Sequence, residues 1–261
     1  MSPNKENLPL VTYKFYDSES KMVSAYKAGE INKMDIYKKS IADTFLTWKN
    51  SQVSQNVDYS RAMTLFFNLK NELLQERDVR EAIALSIPTK DIQALGEPAK
   101  GPISPSSWAY NKNLTQNLEN IDLAKKNLSK YISTSSAELK FITFYDYLNV
   151  ASDLDKNFKD IGLKTDLNLS NFDAGSQFDV LLAFWQIPQD PDQYFFWHST
   201  QTGGNITSYK NVKVDKLLED GRETVSVKDR KEIYDNFQKV VSDDLPAIFL
   251  YYPFVYTVER K

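Results

Sequence analysis

Residues 139–169 set a strand, a helix and a second strand in immediate succession, and no other stretch limits the fold so tightly. "LKFITFY" (139–145) has the apolar and aromatic content of a strand. "VASDLDKNFKDI" then puts Val150, Leu154, Phe158 and Ile161 on one helical face, Gly162 closes the helix, and "LKTDLNL" follows as a strand. Strands joined through a helix are expected to run parallel. Parallel strands are normally covered on both faces, and "FDVLLAF" (178–184) is the near-continuous apolar run such burial requires. The expected class is α/β.

The rest of the chain alternates in the same way. "VTYKFYD" (11–17) has the period of a half-buried strand, and "SESKMVSAYKAGE" reads as a helix between a cap at Ser18 or Ser20 and a stop at Gly29. "INKMDIY" and "AMTLFFNL" (62–69) read as strands, and "DVREAIALSIP" as a helix opened by Asp78 and ended before Pro88. A loop rich in Pro and Gly (96–111) precedes the helix "NIDLAKKNLSKY". Two capped helices follow the central unit, one behind Asn211 and one behind Ser226 and Asp229, and "PAIFLYYPFVYTV" (246–258) ends the chain as a strand.

Composition removes several function classes. The 261 residues carry a formal charge of −3 with Lys and Arg scattered, so there is no basic footprint for nucleic acid. Without cysteine there is no disulfide, thiol catalysis or thiolate metal site. No apolar run approaches the roughly 18 to 20 residues that span a bilayer, and "MSPNKENLPL" has no apolar stretch of signal-peptide type. Aromatic residues make up 13% of the chain, enough to furnish a recognition surface as well as a core.

"FWQIPQDPDQYFFWHSTQTGGNIT" (184–207) gathers two Trp, two Asp and the chain's one His directly after the buried strand, at the end where open α/β sheets bind ligands. Asp190 and Asp192 flank Pro191, a pattern of turns more than of acid–base pairs. His198 has no metal-ligand partner at a telling spacing and reads as a hydrogen-bonded structural imidazole. Asn68 either holds a ligand or ties down the following loop. Arg80 reads as a structural guanidinium paired with a carboxylate. No nucleophile elbow, phosphate loop or cofactor motif is present, so a binding protein is expected and not an enzyme.

An ordered set of motifs sharpens this. "YKAGEINKMDI", "LFFNLKNELLQERDVREAIALSI", "NIDLAKKNL", "WQIPQDPDQYFFWHS" and the run from "NITSYKNVKVDKLLEDGRE" to "PAIFLYY" resemble, in family order, the signatures of the family-five extracytoplasmic solute-binding proteins. These are the peptide and nickel receptors of ABC importers. The resemblance implies a type II periplasmic-binding-protein fold of two α/β lobes, a small solute or oligopeptide as ligand, and permease subunits as partners. It also implies about twice this length, with an N-terminal membrane anchor and the start of lobe one, so the chain looks like the C-terminal half. The expected division is a lobe-one remnant with hinge strand (1–57), lobe two (58–250) and a return strand (251–261).

On that resemblance the ligand-facing residues are Trp185 as a stacking wall, Gln186 as a polar contact, Asn68 near the hinge, Trp108 and Tyr110 in the long loop, and Tyr194, His198 and Asn205. Peptide-binding members commonly carry an Asp shortly after the Trp that aligns with Trp185. Here Gln186, Ile187 and Pro188 follow, which leaves capture of a free amine without its usual anchor. A metal receptor built on His198 and a standalone protein-interaction module are the alternatives.

Overall fold

Ser18 and Gly29 bound the first helix as their chemistry dictates. In the computed structural model, which describes residues 10–115, 119–132, 138–170 and 177–261, the Ser18 hydroxyl accepts from Lys21 N, and Gly29 takes a left-handed conformation at φ 82°. The chain divides into two units, one of residues 1–56 with 254–261 and one of residues 57–253. The first unit holds α1 (Glu19–Ala28), β1 (Lys33–Ile36), α2 (Lys39–Asp43) and β2 (Ser51–Val57). Its β1 pairs antiparallel with the last strand of the chain, from Lys33 opposite Glu259 to Ile36 opposite Tyr256. Tyr26, Met34, Ile36, Phe45 and Val258 form its small core.

One expectation fails here. The alternating segment 11–17 forms no strand, and Leu10, Val11, Tyr13 and Phe15 stand exposed. Alternation supplies a face, but a strand also needs a neighbour for its N–H and C=O groups, and no described segment pairs with it.

The second unit comprises β3 (Arg61–Phe67), α3 (Glu72–Gln75), α4 (Arg77–Leu85), α5 (Thr89–Leu95), β4 (Gly96–Pro98), α6 (Ile121–Ile132), β5 (Leu139–Thr143), α7 (Leu148–Asp160), β6 (Thr165–Leu169), β7 (Val180–Gln186), α8 (Tyr194–Trp197), α9 (Val212–Glu223), α10 (Val227–Asp244) and the first half of β8 (Ala247–Arg260). Strands β5 and β6 lie parallel around α7, from Leu139 opposite Thr165 to Thr143 opposite Leu169, as the strand–helix–strand pattern predicts. The sheet order is β8-β3-β7-β5-β6, with β3 antiparallel to both β7 and β8 and with β4 added on β8.

Residues of β3 and β7 alternate between two buried layers. Met63, Leu65, Phe67, Val180 and Leu182 join Val79 and Ile83 of α4, Leu128 of α6 and Phe158 of α7. Ala62, Phe66 and Trp185 join Val214 and Leu218 of α9 and Tyr234, Phe237 and Val241 of α10. Double cover explains the near-unbroken apolar character of β7.

Arg80 departs from its expected partner. Its buried guanidinium donates to the backbone oxygens of Leu74, Gln75, Asp244 and Leu245, and not to a carboxylate side chain. The C-terminal end of α10 offers carbonyls with no helical acceptor role left, and the planar fork of an arginine reaches several at once.

Candidate functional site

Among the described residues, the C-terminal end of β7 has a strand neighbour on one side only. Among the described residues β5 meets β7 only where Phe141 faces Val180 and Ile142 faces Leu181. The Thr143 hydroxyl extends this by donating to Leu182 O at 3.1 Å. From Ala183 to Gln186, β7 keeps β3 on one side and has no described strand on the other.

Aromatic rings and one guanidinium flank that edge. Phe184 contacts Tyr147 edge-on at 5.2 Å between centroids and Tyr251 at 6.2 Å. The Arg61 guanidinium lies 4.5 Å from the Phe184 centroid and is held by Asp58 at 3.0 Å. Tyr145, in the single turn after β5, is 80% exposed. Burial raises the hydroxyl pKa of Tyr147, and the Arg61 charge opposes it in part. Gln186, opposite Arg61 in the β3–β7 register, is exposed at the same rim.

The 184–207 segment folds largely upon itself. Asp190 Oδ1 accepts from Asp192 N at 2.9 Å and Asp192 Oδ1 from Tyr194 N at 3.0 Å, two consecutive Asx turns of the kind the D-P-D pattern favours. Arg222 closes on Asp192 with both Nε (2.9 Å) and Nη2 (2.7 Å) and lies 3.9 Å over the Tyr194 ring. His198, 4% exposed, stacks on Tyr194 at 4.1 Å. Its Nδ1 bonds Thr200 Oγ1 at 2.8 Å, and its Nε2 stands 3.4 Å from Glu219. Both nitrogens are engaged, and among the described residues no group of three or more His, Asp or Glu side chains is placed to hold a metal ion.

Asn205 is buried, and its amide serves the loop: Nδ2 donates to Tyr209 O (2.8 Å) and His198 O (3.4 Å), while Oδ1 accepts from Thr207 Oγ1 and Tyr209 N. Trp185 is 8% exposed and packs on Phe196, Trp197 and Phe249. Its indole belongs to the core, and it borders a pocket of about 210 Å³ that Phe66, Phe195 and Ile206 also line.

The remaining expected residues separate. Trp108, 44% exposed, sits against Tyr234 with the Arg230 guanidinium 5.4 Å over its ring, and Arg230 stands 3.9 Å from Asp190. The Asp190–Asp192 turns, Arg222 and Arg230 therefore bring Trp108, Tyr194 and His198 to one side of the unit. Tyr110 is half-buried, and its hydroxyl pKa is raised by burial and by the charge of Glu97. Asn68 lies at the other end of β7 from Gln186. It donates through Nδ2 to Phe178 O (2.9 Å) and accepts from Lys70 N (3.1 Å), which is the loop-tying role.

Sequence reasoning passed over Arg61, Tyr145 and Tyr147. A signal was present for the two tyrosines, since "FYDY" directly follows a strand whose partner returns parallel, where strand ends gather ligands.

The mixed sheet, parallel from β7 through β5 to β6 and antiparallel from β7 through β3 to β8, with helices on both faces, has a type II periplasmic-binding-protein fold. The solved structure of the oligopeptide-binding protein AppA from Bacillus subtilis, in complex with a nonapeptide, has this fold, with a TM-score of 0.79 over 93% of this chain and 54% of that one at 22% identity. In sequence the chain is 26% identical to AppA of Bacillus subtilis in an alignment 286 positions long, gaps included, that covers 94% of this chain and 51% of the relative. It is 27% identical to the nickel-binding protein NikA of Staphylococcus aureus in an alignment 222 positions long, gaps included, that covers 78% of this chain and 45% of the relative. The family model for bacterial extracellular solute-binding proteins, family 5 Middle, matches residues 2–206, and the chain belongs to that family. It spans about half the length of the relatives it matches.

Proposed function

We propose that this chain is the ligand-holding part of an extracytoplasmic solute receptor that serves an ABC importer and acts by binding, with no chemical step. Residues 58–250 serve as its second lobe. The solute is peptide-like, and it lies along the free edge of β7 between Ala183 and Gln186. That edge is the observation that carries the reading, because unpaired backbone N–H and C=O groups next to a strand recognise another extended backbone without regard to its side chains. Phe184, Tyr147 and Tyr145 supply apolar contact beside it, and Gln186 and Arg61 supply polar contact. AppA, the relative described above as an oligopeptide-binding protein, supports the same ligand class.

Calorimetric titration with a short alanine-rich pentapeptide, and with the same peptide N-methylated at alternate backbone nitrogens, tests the reading. Methylation removes donors without changing the side chains, and loss of two backbone bonds should weaken binding by roughly tenfold or more. Equal affinities for the two peptides would overturn edge pairing.

A further inference from the structure

The pocket of about 210 Å³ that Trp185 borders lies in the layer between the sheet and helices α9 and α10. Its wall is made of rings: Phe66 of β3, Trp185 of β7, and Phe195, Phe196 and Trp197 of α8. These rings brace one another edge-on, Trp185 against Phe196 at 5.7 Å and against Trp197 at 6.0 Å, and Phe195 against Phe196 at 5.2 Å. The cavity is therefore built before any guest arrives. Phe195 and Ile206 are 51% and 44% exposed, which opens the rim to solvent, and a Cβ at Gly203 in the same wall would meet nothing within 4 Å. Successive side chains of a strand point to opposite faces, so Trp185 faces this pocket while Phe184 packs in the other layer with Tyr147.

Three properties of the wall define its guest. An apolar cavity of about 150 Å³ stays dry and takes up benzene, so this larger one has room for a second fused ring. None of the described residues that line it is ionisable, and a charged guest would give up its hydration with nothing to replace it. Trp197, 2% exposed, lines the pocket, and its buried Nε1 has no hydrogen-bond partner among the described residues. A buried indole N–H normally finds an acceptor. The other polar side chain of the wall, Thr207, already donates to Asn205 Oδ1 at 2.9 Å.

We infer that this pocket is a second binding site of the chain, for a small neutral aromatic molecule of two fused rings that carries one hydrogen-bond acceptor. The rings of guest and wall pack edge to face or offset, which adds to the gain from burial, and the acceptor takes the Trp197 N–H. The guest is not the transported solute. The site goes beyond the proposed receptor role and uses neither the free edge of β7 nor the rings of Phe184 and Tyr147.

The test titrates quinoline, and naphthalene as the match in shape without an acceptor, into protein labelled at its indole nitrogens. The chain has four tryptophans, of which Trp185 and Trp197 line the pocket and Trp48 and Trp108 do not. Saturable NMR shifts of the first two indole N–H signals are expected, with the other two unmoved. Naphthalene should bind several-fold more weakly than quinoline, since it leaves the Trp197 N–H unpaired. Ile206→Trp and Gly203→Leu add bulk at the open side of the pocket, and at least one should weaken quinoline by tenfold or more. Trp197→Phe should bring quinoline down to the affinity of naphthalene and leave naphthalene within about twofold, with urea unfolding to confirm the fold. If that variant does not fold, the quinoline–naphthalene ratio on the unaltered chain decides the acceptor. Shifts that do not saturate, equal movement of all four indoles, equal affinity for the two probes, or undiminished binding in both filled variants would overturn the site. Peptide titration keeps the two ideas apart. A saturating pentapeptide should leave quinoline affinity within about twofold, and competitive displacement would overturn a second site. If plain and N-methylated peptides bind alike while quinoline behaves as expected, edge pairing falls and this pocket stands.

Discussion

The guanidinium of Arg61 lies over the face of Phe184, 4.5 Å from its centroid, across the β3–β7 pair. Asp58 holds the same guanidinium at 3.0 Å, so the cation is fixed at a strand end and not free to wander. Replacing Arg61 with Ala should reduce affinity for a short peptide by about tenfold and lower stability by no more than about 1 kcal/mol, since the group is only partly buried. Calorimetry on the variant, paired with urea unfolding, checks both numbers. Lost stability with unchanged affinity would mean that the pair serves the fold alone.

Arg80 is the opposite case. Its guanidinium sits inside the second unit and satisfies four carbonyls from two distant parts of the chain. Arg80→Met keeps most of the volume but leaves those oxygens without donors. We expect a loss of about 2–4 kcal/mol in urea unfolding, with peptide affinity of the folded fraction unchanged.

The adjacent glycines of the "TGGN" turn should respond differently. A Cβ at Gly203 would meet nothing within 4 Å, whereas one at Gly204 would lie 2.2 Å from Phe195 O and 2.6 Å from its ring. Gly203→Ala should therefore be neutral within about 0.5 kcal/mol, while Gly204→Ala should cost about 1–3 kcal/mol as the backbone gives way. Thermal midpoints of the two variants make the comparison directly, and equal midpoints would contradict the close approach.

Alkaline pH should unfold the second unit. Burial raises the hydroxyl pKa values of Tyr209, Tyr251 and Tyr252 well above the ordinary value, and the bond to Glu97 pushes Tyr59 up to about 12. A raised value in the fold means that the neutral phenol is favoured there. This stability is complete below the unfolded value near 10 and is lost as pH rises through the folded values. Urea midpoints measured at about pH 9 and about pH 11 should fall between the two, with phenolate absorbance appearing together with unfolding and not before it.

The strand–helix–strand unit β5–α7–β6 was legible because its information is local. Four apolar residues at helical spacing, a closing glycine and flanking strands fix the elements, and the short connections fix a parallel pairing. The caps at Ser18, Asn211 and Ser226 were legible for the same reason, since each bonds an N–H within three residues. Strand β2, "SQVSQNV", went unread because most of its residues are polar and exposed, so no hydrophobic period marks it. The segment 11–17 misled for the converse reason: it has the period without a described partner.

The candidate site divides along the same line. Sequence alone determined that the stretch after β7 is rich in rings and turn-forming acids, and that it belongs at a strand end. Only the tertiary structure decided which of those side chains remain open to a solute. Asn68 bonds a residue 110 positions away, Trp185 packs on Phe249, and Asn205 closes its own loop, so each is already engaged. Arg61 and Tyr147 instead meet at Phe184 from parts of the chain that share no local pattern. Polar atoms are claimed by whatever folding brings within about 3 Å of them, and contacts across 30 to 200 residues leave no period in a sequence for a reader to find.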